Sequence, residues 1–398
     1  MLKDRTIVLG VTGSIAAYKA AELASYLTKA GAQVDVILTD AAQKFITPLT
    51  FRSLTHRPVA VGMWELSESF SSQHISLAQA ADAVVIAPAT ADIIAKLAYG
   101  LADDLLSTTV LATKAPVIVV PAMNTNMYEN PVTQENIGRL VARGFTFVEP
   151  ATGRLACDTV GKGRMASQNE IVDTIGRVLG AGDMVGLRVV VTAGGTREAI
   201  DPVRFIGNRS SGKMGYAMAE TARDRGAGVV LVSTSTLPAP AGVEFIAVES
   251  AAEMLEAVLE AVRDADVLVM AAAVADFKPK VTAKSKIKKS VPVQNLELER
   301  TPDILSEVKG KFIRVGFAAE SENLLSNARG KLSEKKLDIV IANDVTVEGA
   351  GFGSDNNKVT IISRDGSEDD LPLMPKLEVA DKIWDRVLSF EFGTLVDS

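Results

Sequence analysis

Residues 6–20 read TIVLGVTGSIAAYKA, and residues 187–198 read LRVVVTAGGTRE. Each is a β-branched apolar run that ends in glycine and a hydroxyl residue just before a helical pattern. At such a turn, backbone amides can approach a phosphate at a helix N-terminus. The chain thus begins a nucleotide-binding α/β sheet twice, which implies two ligand sites and two reactions.

Outward from the first start, strand 6–11 leads to helix 15–30, strand 34–38 and a helix near 40–54. His74 precedes helix 76–80. Strand 83–87 runs into the turn PAT (88–90), helix 91–98 and helical segment 103–112. Strand 116–120, helix 131–143 and strand 145–148 follow. Strands separated by helices require right-handed crossovers and a parallel sheet covered on both faces. Ligands then sit beyond the carboxyl ends of the strands, where Thr12–Ser14, Thr39, Ala87–Thr90 and Pro121–Asn124 fall. The Gly-containing stretch GRVLGAGDMVGL (176–187) reads as the domain boundary. Beyond it, strand 188–193, helix 213–225, strand 228–233, helix 251–263 and strand 266–273 restart the series. A polar stretch at 277–300 precedes helix 302–309, strand 312–318, helix 321–335 and strand 338–342. Strands near 358–363 and 371–374 and a helix from 376 complete it. The expected class is α/β with two doubly wound, Rossmann-like domains, 1–180 and 187–398.

Composition narrows function. The 398 residues carry 42 basic and 49 acidic side chains, net −7, which argues against a bulk nucleic-acid binder. One cysteine and two histidines exclude a thiolate or multi-histidine zinc cluster and an intrachain disulfide. No stretch approaches the ~18 apolar residues of a membrane span, and the N-terminus lacks a signal-peptide pattern. A cytosolic protein is expected. High apolar content with few aromatics favours buried subunit interfaces.

Neither glycine turn matches the dinucleotide fingerprint: Gly10 and Gly13 are wrongly spaced, and Gly194–Gly195 lacks a third glycine. The pattern favours a mononucleotide or flavin phosphate over a dinucleotide, and leaves open tight turns with no ligand. Residues 207–213 (GNRSSGK) approach a P-loop, but Met214 stands where a Mg²⁺-binding hydroxyl is required. Asn208 offers an uncharged donor and acceptor suited to an acyl intermediate, with an αL turn residue as the alternative. The run Lys284–Lys289 reads either as a solvated charged loop or as a basic flap closing on a triphosphate. It follows AAAVADF (271–277), read as a buried strand delivering Asp276 at its carboxyl end. Cys157 lies between Arg154 and Lys162–Arg164 in the Gly-rich segment GRLACDTVGKGRM (153–165), where cations favour the thiolate and the thiol can donate a proton, with a packed small hydrophobe as the alternative.

Together these motifs resemble known families. TGSIAAYK, HISLAQAAD, APATAD, PAMNTNMY and LACDTVGKGRM are similar to the flavin-dependent cysteine decarboxylases. VTAGGTREAID, GNRSSGKMG, AAAVADF, KIKK, GFAAES and ANDV…GFGSDNN are similar to phosphopantothenate–cysteine ligases. In this order they span essentially the whole chain, as in the bacterial bifunctional decarboxylase–ligase family of coenzyme A biosynthesis. Asp158 and Thr159 depart from the glycine and acidic residue usual after the cysteine, and Gly207 replaces a frequent hydroxyl residue.

The resemblance implies roles. In a flavodoxin-like first domain, FMN is expected against Gly13, Ser14, Thr39, Thr90, Ala122 and Met123. His74 would act beside the flavin, Asn124 would hold the substrate carboxylate, and Cys157 would donate the proton. In the ligase domain, CTP with Mg²⁺ would activate 4′-phosphopantothenate as an acyl-cytidylate for attack by L-cysteine. Asp276, Lys286, Thr301, Pro302, Asp303, Ile304, Phe317, Lys331 and Lys335 would form the nucleotide site, and Asn208 would stabilise the acyl-nucleotide. Family members form a homo-oligomer, a dodecamer built from trimers and dimers.

Overall fold

A computed structural model describes residues 2–63, 72–154, 160–288, 295–320, 324–344, 347, 349–351 and 353–390. The chain divides into two compact units, Met1–Gly180 and Ala181–Ser398.

The first unit runs β1 Thr6–Val11, α1 Ala17–Lys29, β2 Gln33–Leu38, α2 Pro48–Thr55, β3 Val59–Ala60, α3 Gln73–Ala80, β4 Ala83–Ala89, α4 Ala91–Tyr99 and α5 Leu105–Ala112. Then come β5 Val117–Pro121, α6 Thr125–Tyr128, α7 Pro131–Ala142, β6 Thr146–Phe147, β7 Ala151–Arg154, β8 Val160–Arg164 and α8 Gln168–Leu179. Its main sheet has the order β3-β2-β1-β4-β5-β6, with every pairing parallel. Apart from the two-residue edge strand β3, this is the flavodoxin order, and the connections reverse direction between β1 and β4. Side chains alternate across the sheet. Ile7, Leu9 and Val11 pack under α1 and α8, whereas Val84, Ile86 and Val119 pack under α4 and α5.

Cap chemistry sets the helix ends that matter for the site. Thr90 caps α4 by accepting from Ile93 N, and Gly100 ends it in the left-handed region at φ 72°. Asp104 and Ser107 form a capping box at α5. Several expectations are corrected here. The helix near 40–54 is a 3₁₀ turn, Ala42–Lys44, followed by α2, because Pro48 is best placed in a helix's first turn. His74 lies inside the first turn of α3 rather than before it. Residues 176–179, read as part of a junction, finish α8. Its Ser167–Glu170 capping box went unnoticed in the sequence.

The second unit runs β9 Arg188–Ala193, β10 Arg197–Ala199, β11 Phe205–Gly207, α9 Lys213–Asp224, β12 Gly228–Ser233, β13 Glu244–Ala247, α10 Ala251–Ala261, β14 Val267–Met270, β15 Phe277–Pro279 and β16 Leu298–Arg300. It continues with α11 Ile304–Glu307, β17 Ile313–Glu320, α12 Leu324–Glu334, β18 Ile339–Asp344, β19 Asn356–Ser363, β20 Glu368–Pro375 and α13 Lys376–Leu388. The main sheet has the order β13-β12-β9-β14-β17-β18-β19-β20, parallel through β18 and antiparallel for the last two strands. Here the order reverses between β9 and β14, which places the crevice beyond those strands. Trp384 of α13 is fully buried and donates Nε1–H to Met218 O of α9, fixing these two helices on one face.

Strand β14 stops at Met270, so Asp276 is not at its carboxyl end. It lies six residues on, in the loop before β15. The polar stretch 277–300 is partly ordered by pairing of β15 with β16. Among the described residues, no helix is long and apolar enough to cross a membrane.

Candidate functional sites

In the first unit, the carboxyl ends of four neighbouring strands are tied into one rim. Thr12 Oγ1 donates to Pro88 O at 2.7 Å and accepts from Thr90 N at 3.1 Å, joining the loops after β1 and β4. Thr39 N donates to Val11 O at 3.1 Å, and Thr39 Oγ1 accepts from Ala42 N at 3.2 Å. Ala122 N donates to Ala89 O at 3.0 Å, so the turn after β5 joins the same rim. Gly13 is there because Ala41 leaves no room: a Cβ on Gly13 would stand 2.5 Å from Ala41 Cβ. Ser14 Oγ accepts from Ala16 N at 3.2 Å at the entry to α1.

The turn after β5 is clasped by β8. Met123 N donates to Gly163 O at 3.0 Å, and a Cβ on Gly163 would lie 2.3 Å from Met123 O. Thr125 Oγ1 is buried there with no hydrogen-bond partner among the described residues. Asn124 caps α6, its Oδ1 accepting from Asn126 N at 2.9 Å. Burial first, and the charge of Arg164 second, hold the Lys19 ammonium below its usual range. His74 is half-buried on α3. Cys157, with Asp158 and Thr159, lies outside the described residues. The strands flanking it, β7 and β8, pair antiparallel.

In the second unit, a cavity of about 870 Å³ lies beyond the carboxyl ends of β14, β17 and β18, against the N-terminus of α9. Asn208, Asp276, Thr301, Pro302, Asp303, Ile304, Phe317, Lys331 and Lys335 all line it. Asn208 Nδ2 donates to Val274 O at 2.9 Å, fixing the loop after β11 against the loop after β14. Thr301 N donates to Asp276 O at 3.0 Å, and Lys331 Nζ to Phe317 O at 2.7 Å. Asp303 is ion-paired with Lys335 and accepts from Ser306 Oγ at 2.7 Å. Burial alone would raise its carboxyl, but those two partners outweigh it and hold the group below the ordinary range.

Two expectations shift. Gly194–Gly195 do not line the cavity. A Cβ on Gly194 would lie 2.3 Å from Thr234 Oγ1 and one on Gly195 2.4 Å from Asn208 O, so both glycines serve close backbone packing. Ser210–Gly215 line the cavity instead, where Gly212 (φ 82°) caps α9 in the left-handed region. Lys286 is exposed and is not among the cavity-lining residues, unlike the other nucleotide-site candidates.

Lysines 213 and 376 went unnoticed as site residues. Lys213 Nζ donates to Gly353 O and pairs with Asp355 Oδ1, both at 2.7 Å. Lys376 Nζ donates to Ser354 O, and burial followed by the charge of Lys213 lowers its pKa. Lys213 sits inside the quoted GNRSSGK segment. Lys376, at the start of α13, has no local signal, because only the tertiary fold brings it to the cavity.

These two doubly wound units define a flavodoxin-type domain joined to a second Rossmann-like domain. Residues 1–180 match the family model described as Flavoprotein, and residues 184–390 that of the DNA/pantothenate metabolism flavoprotein C-terminal domain. The chain is 47% identical over 402 residues to the coenzyme A biosynthesis bifunctional protein CoaBC of Bacillus subtilis, covering 99% of each chain. It is 45% identical to the protein of that name from Vibrio cholerae, over 96% of this chain and 97% of the relative. A crystal structure of the C-terminal domain of a coenzyme A biosynthesis bifunctional protein is 43% identical, covering 52% of this chain and 97% of that one at a TM-score of 0.46. The chain belongs to the family of coenzyme A biosynthesis bifunctional proteins. It is an enzyme that joins a decarboxylase and a ligase in one polypeptide.

Proposed function

We propose that residues 187–398 couple L-cysteine to 4′-phosphopantothenate at the expense of CTP, and that residues 1–180 decarboxylate the product to 4′-phosphopantetheine with FMN. What carries the reading is the single cavity that gathers Asn208, Asp276, the 301–304 turn, Phe317, Lys331 and Lys335.

In the ligase reaction, a substrate carboxylate oxygen attacks the α-phosphorus of CTP, and the bond to pyrophosphate breaks. The cysteine amine then attacks the acyl carbon, CMP leaves with the bonding pair, and the amine gives up a proton. Both steps build negative charge, which cations and amide donors stabilise best in a site that excludes water. Lys331 and Lys335 would supply such donors from the cavity wall, and Lys286 would add one more. Asn208 supports the acyl-nucleotide, and Asp276 suits a ribose hydroxyl because a carboxylate accepts from it. Among the described residues, no group of three or more His, Cys, Asp or Glu could hold a metal ion. Mg²⁺ would offset the triphosphate charge.

For the decarboxylase, the first unit's residues fit a mononucleotide. Gly13, Ser14, Thr39, Thr90, Ala122 and Met123 would hold FMN, with Lys19 and Arg164 favouring its phosphate. When bound, FMN supplies the two-electron oxidation and return that allow CO₂ to leave a substrate lacking its own electron sink. Asn124 Oδ1 is committed to the α6 cap, so its contact with a carboxylate would be made through Nδ2. His74 would act beside the flavin, and Cys157 would return the proton.

A cytoplasmic homo-oligomer, a dodecamer of trimers and dimers, completes the proposal. Exposed apolar side chains support assembly, Ile15, Tyr18 and Leu49 on the first unit and Phe205, Phe277 and Val281 on the second. The direct test omits cysteine. With CTP, Mg²⁺ and 4′-phosphopantothenate, about one pyrophosphate per ligase site should be released in a burst. No burst from folded protein would overturn the acyl-cytidylate route.

A further inference from the structure

The exposed lysine-rich segment is fastened at its root to the turn between β10 and β11. Thr282 Oγ1 donates to Ala199 O at 3.1 Å, and Ala283 N to Ile200 O at 3.0 Å. Next, Ile287 N donates to Asp201 Oδ2 at 3.1 Å, while Arg204 Nη2 donates to Ile287 O at 3.1 Å. The Asp201 side chain is fully buried, yet it is charged. Its Oδ1 accepts from Val203 N at 2.8 Å and Arg204 N at 2.9 Å, and its Oδ2 from Arg204 Nε at 3.0 Å. The hydrogen bond from Arg204 leads the causes that hold the carboxyl far below the usual carboxylate range, so it stays ionised throughout the working pH range.

One carboxylate thus closes the turn between β10 and β11 and also takes the amide directly after Lys286. A buried charge with all its acceptor sites used is a costly feature to keep for a surface turn alone. We infer that Asp201 is a positioning residue for the ligase reaction, setting the backbone root from which Lys286 reaches the nucleotide. The inference rests on the proposed role of Lys286 at the triphosphate. It also accounts for Lys286 lying outside the cavity lining: what the fold holds in place is the root, and the side chain's length supplies the reach.

The test is a double-mutant cycle in the full chain, following pyrophosphate release with CTP, Mg²⁺ and 4′-phosphopantothenate. Asp201→Asn keeps the size but loses the charge that receives the Ile287 and Arg204 N–H groups. It should lower kcat/KM for CTP by about 10- to 100-fold, the range for hydrogen bonds to a charged group. Lys286→Gln should lower it at least as much, and the double variant should be no worse than Lys286→Gln alone. If Asp201→Asn folds poorly, Arg204→Gln replaces it. Arg204 is half exposed, and the same non-additivity is expected with a smaller single effect. Wild-type kcat/KM in Asp201→Asn, or losses that multiply in the double variant, would overturn the inference while leaving the Lys286 reading intact. A silent Lys286→Gln beside an impaired Asp201→Asn would overturn both, and would identify the lysine as the faulty step.

Discussion

Replacing Gly13 by alanine tests the first unit's rim at one methyl group. The new Cβ would sit 2.5 Å from Ala41 Cβ, 3.1 Å from Ala41 C and 3.3 Å from Ala41 Cα. Carbon atoms rest at about 3.5–4.0 Å, so the loops after β1 and β2 must part by roughly 1 Å. The obstacle is main chain and its first side-chain atom, so no rotamer change relieves it. Overpacking of this kind costs about 1–3 kcal/mol. If FMN requires the original spacing between Gly13 and the Thr39 turn, its Kd should rise about 5- to 150-fold. Fluorescence titration of apoprotein with FMN measures this, and pyrophosphate release by the ligase half should stay unchanged. Gly10→Ala is the comparison. Its Cβ would meet Leu106 Cδ1 at 2.4 Å, a fully buried side chain inside the sheet's other face. That variant should lose stability more than FMN affinity. Unaltered FMN binding in folded Gly13→Ala protein would refute the placement of the flavin at this rim.

Three further outcomes follow from the same account. Lys286→Gln should impair nucleotide activation while CO₂ release from supplied phosphopantothenoylcysteine continues at the wild-type rate; equal losses in both assays would point to misfolding or a shared site. In Cys157→Ser, CO₂ release should stop after a single turnover and fully reduced product should fail to form, since a hydroxyl is far less acidic than a thiol of pKa about 8.5; mass analysis of product against CO₂ decides it, and steady turnover would assign the proton to another group. Asp303 has a folded pKa below its unfolded value of 3.8, so its contribution to stability is present above that pH and lost as pH falls through the folded pKa. Denaturant unfolding should therefore show a stability gap between wild type and Asp303→Asn that is full near neutrality and closes in acid; a gap that widens in acid would contradict the Lys335 pairing.

The sheet skeletons were legible because period and punctuation agree over long stretches. The runs 6–11, 188–193 and 228–233 are apolar on both faces, as strands buried between helices must be, and the observed strands coincide with them. Helix α8 is announced locally only by its Ser167–Glu170 capping box, while Gly176 inside it and Gly180 after it carry the composition of a junction. Asp276 was misplaced on its strand since an all-apolar run does not reveal where pairing stops. The second glycine pair was given to a ligand, whereas packing against Thr234 and Asn208 takes up its lack of a side chain. That constraint comes from contacts remote in sequence, as does the arrival of Lys376 at the cavity, and neither leaves a local trace.

The central claim is that one chain carries two sequential reactions, amide formation and then decarboxylation. The most direct measurement mixes the purified full-length protein with 4′-phosphopantothenate, L-cysteine, CTP and Mg²⁺, and follows pyrophosphate and CO₂ together. The account predicts pyrophosphate first, CO₂ after a lag, and both ending in equal amounts, with 4′-phosphopantetheine as product. Pyrophosphate without CO₂ from FMN-loaded protein, or CO₂ without prior pyrophosphate, would contradict it.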